Sequence, residues 1–73
     1  QKEAAKERRA LERELKAQEE RSEAIDAELR TLEEKLADPD HATDAQLFEQ
    51  YSQLKSEQEA VLARWEELSM QLE

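Results

Sequence analysis

Apolar and small residues recur along this chain in steps of four and three, and they do so twice. Leu11, Leu15, Gln18, Ser22, Ile25, Leu29, Leu32 and Leu36 form the first run; Leu47, Tyr51, Leu54, Gln58, Val61, Trp65, Leu68 and Leu72 form the second. An average step of 3.5 residues holds such positions on one face of a helix, so each run is a narrow seam. Folded back at the break between them, the runs pair one to one with residue numbers that always add to 83, from Leu36 with Leu47 to Leu11 with Leu72. Two seams in matching antiparallel register predict an all-α fold, a two-helix antiparallel coiled-coil hairpin, expected as a monomer.

The boundaries follow from local chemistry. Strong helix formers dominate residues 2–37, which form the first predicted helix. Asp38-Pro39 ends it, because proline has no amide hydrogen and pushes the residue before it out of the helical region. A turn over 38–43 leads to a second helix over 44–71, with Thr43 as the expected N-cap and Gln46 completing a capping box. Large and small residues complement one another across the seam: Trp65 faces Gln18, and Val61 faces Ser22. Phe48 and Leu62 fall on the flank of the second seam and are expected to widen its apolar stripe. Asp26 and Lys55 are expected to attract. Arg21 faces Arg64 and Glu28 faces Glu57, which is unfavourable unless the side chains reach diagonally into Arg21–Glu57 and Glu14–Arg64 pairs. A seam this thin buries its large residues only partly, so the open end is expected to fray.

Composition narrows the chemistry. Of the 73 residues 42% are charged and 4% aromatic, too little apolar bulk for a globular core but enough for a greasy stripe. Disorder is the competing reading of such a composition, and leucines kept in phase oppose it. With no glycine in the chain a phosphate-cradling loop cannot form, which excludes nucleotide hydrolysis within these residues. With no cysteine, thiol catalysis and thiolate metal sites are excluded too. No apolar run approaches the ~20 residues that span a bilayer, so no membrane partner is expected. The chain does not begin with methionine, which suggests a piece of a longer protein.

His41 lies among Asp38, Asp40 and Asp44, a set that can ligate a metal in principle. A solvated turn rich in capping residues accounts for the same set, so no metal and no cofactor are expected in this chain. Paired carboxylates abound, but a general acid needs a pocket to raise its pKa, and a two-helix hairpin offers none. No catalytic residue is expected. Trp65 and Tyr51 could stack on bases, yet both are in phase with the seam, which assigns them to packing.

One pattern stands apart. Lys2, Lys6, Arg9, Arg13 and Lys16 follow the same four-three rhythm, displaced to the outer face of the first helix. They set five cations along about 21 Å of helix, and nucleic-acid phosphates are the natural partner of such a ridge. The net charge of −9 disfavours that partner, but it is uneven: residues 1–16 carry six bases and four acids, and the other 57 carry five and sixteen. Glu3, Glu7, Glu12 and Glu14 dilute the ridge, and an ordinary solvated helix face is the alternative reading.

Three stretches carry a family likeness. Lys6-Glu7-Arg8-Arg9-Ala10-Leu11-Glu12, the break Leu36-Ala37-Asp38-Pro39-Asp40 and the ending Leu62-Ala63-Arg64-Trp65-Glu66-Glu67-Leu68 resemble the C-terminal coiled-coil domain of ABC-F proteins. These are cytosolic twin-cassette ATPases without membrane domains. The resemblance implies a non-catalytic, cytoplasmic interaction arm in translation-related work, contacting DNA, ribosomal RNA or the ribosome. ATP and Mg would belong to the cassettes of the parent protein. The contact role would fall to Lys2, Lys6, Arg9, Arg13 and Lys16. The acidity of residues 17–73 departs from the family pattern. Two other readings stay open: a structural spacer or dimerisation element, and a hairpin arm of another RNA-handling enzyme.

Overall fold

The computed structural model describes residues 2–73, with side chains from Glu3 onward. It holds two α-helices, α1 (Lys2–Ala37) and α2 (Ala45–Leu72), in a rod of 60 × 16 × 15 Å. At 1.5 Å per residue α1 alone is about 54 Å long, so α2 adds almost nothing to the length. It folds back along α1, and the expected all-α hairpin is the observed fold.

The turn is built from three successive short steps. Asp38 N–H donates to the Lys35 carbonyl at 3.1 Å, His41 N–H to Asp38 at 3.0 Å and Asp44 N–H to His41 at 3.1 Å. The Asp38 carboxylate accepts the Asp40 N–H at 3.0 Å and braces the bend around Pro39. These steps carry the chain one residue further than expected before α2 can start. Asp44, not Thr43, is the N-cap, with extended backbone and a carboxylate accepting Gln46 N–H at 3.0 Å. Aspartate is the stronger cap, and its charge suits the positive end of the helix dipole. Gln46 therefore serves as the capped donor rather than as part of a capping box, and α2 runs from 45 to 72 instead of 44 to 71.

All sixteen predicted seam residues are buried or half-buried. Ile25, Leu29, Leu32, Val61 and Leu68 are buried, and Ile25 and Leu68 have no exposed surface. Ile25, Leu29 and Val61 touch, with Tyr51 and Leu54 packed against them. In heptad terms the seam positions are a and d, beginning with d at Leu11 and at Leu47. Position e follows d, position g precedes a, and these two edges border the seam on either side.

The edges differ from the sequence expectation in two places. Phe48 and Leu62, both at e, are 51% and 54% exposed and do not extend the buried stripe. A two-helix seam covers only a and d; an e residue needs a third helix to be buried. Asp26 does not pair with Lys55. Its carboxylate accepts the Gln58 amide at 2.8 Å, and the Lys55 ammonium lies 5.6 Å from the Tyr51 ring centroid, one turn back on its own helix. On the g edge both diagonal pairs form.

Candidate nucleic-acid interface

The basic row occupies positions b and f of α1, the face turned away from α2. Lys6, Arg9, Arg13 and Lys16 are all exposed, and no ion pair engages any of them among the described residues. The Lys2 side chain lies outside the described residues. Lys6 to Lys16 alone sets four cations along about 15 Å.

Two features of the fold shape this face. Gln71 and Leu72 share a shallow groove with Ala4, Ala5, Glu7, Arg8 and Leu11, which places the end of α2 level with Leu11. The first turns of α1 therefore extend beyond α2, and part of the basic row rides on a lone helix. The second feature is how the nearby acids are used. Glu12 accepts the Arg8 guanidinium at 3.0 Å. Glu14 receives Arg64 in a two-point contact, Nε to Oε2 at 2.6 Å and Nη2 to Oε1 at 3.0 Å, and Arg64 Nη1 also reaches Glu67 at 3.0 Å. The hydrogen bonds that Arg64 donates to Glu67 and Glu14 raise its pKa, so its charge is held firmly.

Folding also brings acids in. Beside residues 10–19 it sets the last turns of α2, with Arg64, Glu66, Glu67 and Glu73. Residues 1–16 and 64–73 then hold seven basic and seven acidic side chains, and the body between them holds four basic and thirteen acidic. The base of the rod is neutral as a whole, with its cations gathered on one face. The body is strongly anionic.

The opposite side of the seam holds an arrangement that periodicity alone did not reveal. Along the e edge of α1, Glu19, Asp26 and Glu33 are spaced seven apart. Glu19 accepts Trp65 Nε1–H at 3.1 Å, Asp26 accepts the Gln58 amide at 2.8 Å and Glu33 accepts the Tyr51 hydroxyl at 3.2 Å. Each pair of residue numbers adds to 84, a regularity that two heptad lists written in opposite directions would have disclosed. Every polar tip on the seam of α2 is thereby satisfied, and no buried side-chain polar atom lacks a partner among the described residues.

Among the described residues no three His, Asp or Glu side chains converge as a metal-holding group. The hollows are open grooves along the helices. Among the described residues no helix is long and apolar enough to cross a membrane. Comparisons with protein-family models, with curated proteins and with solved structures find no match to this chain.

Proposed function

We propose that this hairpin is a non-catalytic interaction arm whose basic outer face meets the phosphate backbone of DNA or ribosomal RNA. The observation that carries this reading is the row Lys6, Arg9, Arg13 and Lys16: exposed, in phase and outside every ion pair of the structure, while the nearby Glu12 and Glu14 are taken up by Arg8 and Arg64. Lys2 would extend the row. The Lys6–Glu12, Leu36–Asp40 and Leu62–Leu68 stretches resemble the ABC-F C-terminal domain, and that resemblance supports reading the arm as part of a cytoplasmic ATPase in translation-related work. Its mechanism is positional: a stiff rod carries charge to a phosphate surface, and any ATP hydrolysis belongs to other parts of the parent protein.

The anionic body limits contact to this one face, so binding is weak and sensitive to salt. Four phosphate contacts set a log–log salt slope of about −3.6 on duplex DNA. The test is a mobility-shift titration on duplex DNA and on ribosomal RNA at two salt concentrations. Reversing charge at Arg9 and Arg13 is expected to flatten the slope by about 2. Unchanged affinity in that double variant would remove the assignment. The neutral base favours the second reading, a structural spacer or dimerisation element without nucleic-acid contact, and the same titration separates the two.

A further inference from the structure

We propose that the e edge of the hairpin is a docking groove for a third helix, basic and amphipathic, supplied by a protein partner. The groove lies between α1 and α2, with a volume of about 370 Å³ where Gln18, Glu19, Ser22 and Glu23 face Val61, Leu62 and Trp65. The small Ser22 opposite Val61, and the polar Gln18 opposite Trp65, leave this part of the seam less filled than the size match in the sequence suggests. Leu62 stands 54% exposed on its rim, and Phe48, two heptads away on the same edge, is 51% exposed. At 1.5 Å per residue these anchors are about 21 Å apart, the span of a four-turn helix. Two large apolar residues held at one heptad position and left uncovered are what a third strand of a coiled coil would cover.

Charge identifies the occupant. Glu19 lines the groove, Asp26 and Glu33 continue its edge toward the tip, and the donors that pin the three are an indole N–H, an amide and a phenol. All three donors are neutral. The carboxylates are therefore oriented without an ion pair among the described residues, at a repeat of about 10.5 Å. Glu23 and Glu59 add to them on neighbouring positions, against Lys16, Arg30 and Lys55, and the edge stays acidic. A helix carrying Lys or Arg every seven residues beside an apolar stripe matches both the repeat and the anchors. Nucleic acid does not, because this wall would repel it. Lys16 and Arg9, at b of α1, continue the line of Glu23 toward the base, so the groove is confined to the stretch beyond Lys16.

A synthetic three-heptad peptide with leucine at a and d and arginine at each g tests the idea on the 73-residue chain. Trp65 lines the groove and is the only tryptophan, so its fluorescence reports occupancy. The peptide is expected to shift that emission and to bind more weakly as salt rises. Leu62→Ser and Glu23→Lys are each expected to weaken binding tenfold or more, with circular-dichroism melts unchanged because both residues are exposed. Arg9→Glu is expected to leave it unaltered. Equal binding of a peptide of the same composition with its leucines out of phase would overturn the proposal, as would indifference to both Leu62→Ser and Glu23→Lys. A dimer in sedimentation that Leu62→Ser converts to monomer would overturn it too, since a second copy would then fill the groove.

Discussion

The two edges of the seam use the same ingredients differently. On the g edge, opposite charges meet: Arg21 binds Glu57, with Nε–Oε1 at 2.7 Å, and Arg64 binds Glu14 and Glu67. On the e edge, carboxylates meet neutral donors. A slip of one heptad shows what each edge is worth. In one direction it sets Arg21 against Arg64 and Glu28 against Glu57; in the other it sets Glu14 against Glu57 while Glu7 takes Arg64. The e edge would notice far less, because Glu12, Glu19, Asp26 and Glu33 repeat every seven residues and offer Trp65 or Gln58 another carboxylate after a slip. Register is decided by the turn and the mirrored seam, and the g edge adds a small preference of charge. The e edge satisfies polar atoms, keeps its charge and remains available to a partner.

Both edges close over one layer near the base, and removing it is the severest way to break the comparison. Leu68 has no exposed surface, and Arg64 and Trp65, one turn earlier, reach across α1 on either side of it. Leu68→Ala is expected to cost about 2–5 kcal/mol. A domain of this size has roughly 4–11 kcal/mol in total, so thermal melts of the variant should show much of the helix lost near room temperature. Leu36→Ala at the half-buried tip should cost distinctly less. Equal losses would mean that the base has no special role and that burial does not rank the layers.

The e edge is tested next by Gln58→Leu. Gln58 occupies a seam position opposite Ile25 and is tolerated there because Asp26 takes its amide. Leucine would fill the layer with apolar surface and release Asp26 to solvent, raising stability by about 1 kcal/mol. A polar residue at a seam position trades stability for specificity of pairing. The variant should therefore melt higher while sedimentation shows more self-association. A lower melting temperature would mean that the carboxylate ladder holds the hairpin together rather than merely satisfying it.

These edges also mark where the sequence could be read and where it could not. The seam was legible to the residue, because a 3.5-residue rhythm mirrored about a proline break admits one antiparallel pairing. The diagonal partners of Arg21 and Arg64 were legible as the alternatives to like-charge contacts. The cap fell one residue off because the spacing of Thr43 and Gln46 imitates a capping box, and only the three short turns after Lys35 show that the helix starts later. Phe48 and Leu62 misled because apolarity signals a covered face without saying what covers it. For the basic row, spacing gave its outward placement. It could not give the acids that α2 brings alongside, since the local charge of a segment changes once a distant segment folds against it.

A smaller effect sharpens the g edge. Arg21→Glu sets two carboxylates together at a site where both partners are about two-fifths exposed. Water screens such a site, so the expected loss is about 0.5–1 kcal/mol, shrinking with salt. Adding Glu57→Arg should restore the melting temperature. A double variant no better than the single one would show that the pair contributes nothing to register.

Arg64 provides the finest distinction, through pH. Its pKa is raised above the ordinary guanidinium value by the hydrogen bonds it donates to Glu67 and then to Glu14, opposed by desolvation. A cation whose folded pKa exceeds its unfolded one contributes fully below the unfolded value and loses that contribution only as pH rises through the folded one. Both values lie above the range in which the protein would be handled. The destabilisation caused by Arg64→Met should therefore be the same at roughly pH 7 and pH 10. Arg64→Lys should fare differently, since an ammonium begins to lose its proton near the upper end of that range and cannot reproduce the two-point grip on Glu14. If Arg64→Lys matched the parent chain at both pH values, the g edge would be using charge alone, and the geometry of the guanidinium would have no part in holding the base of the rod.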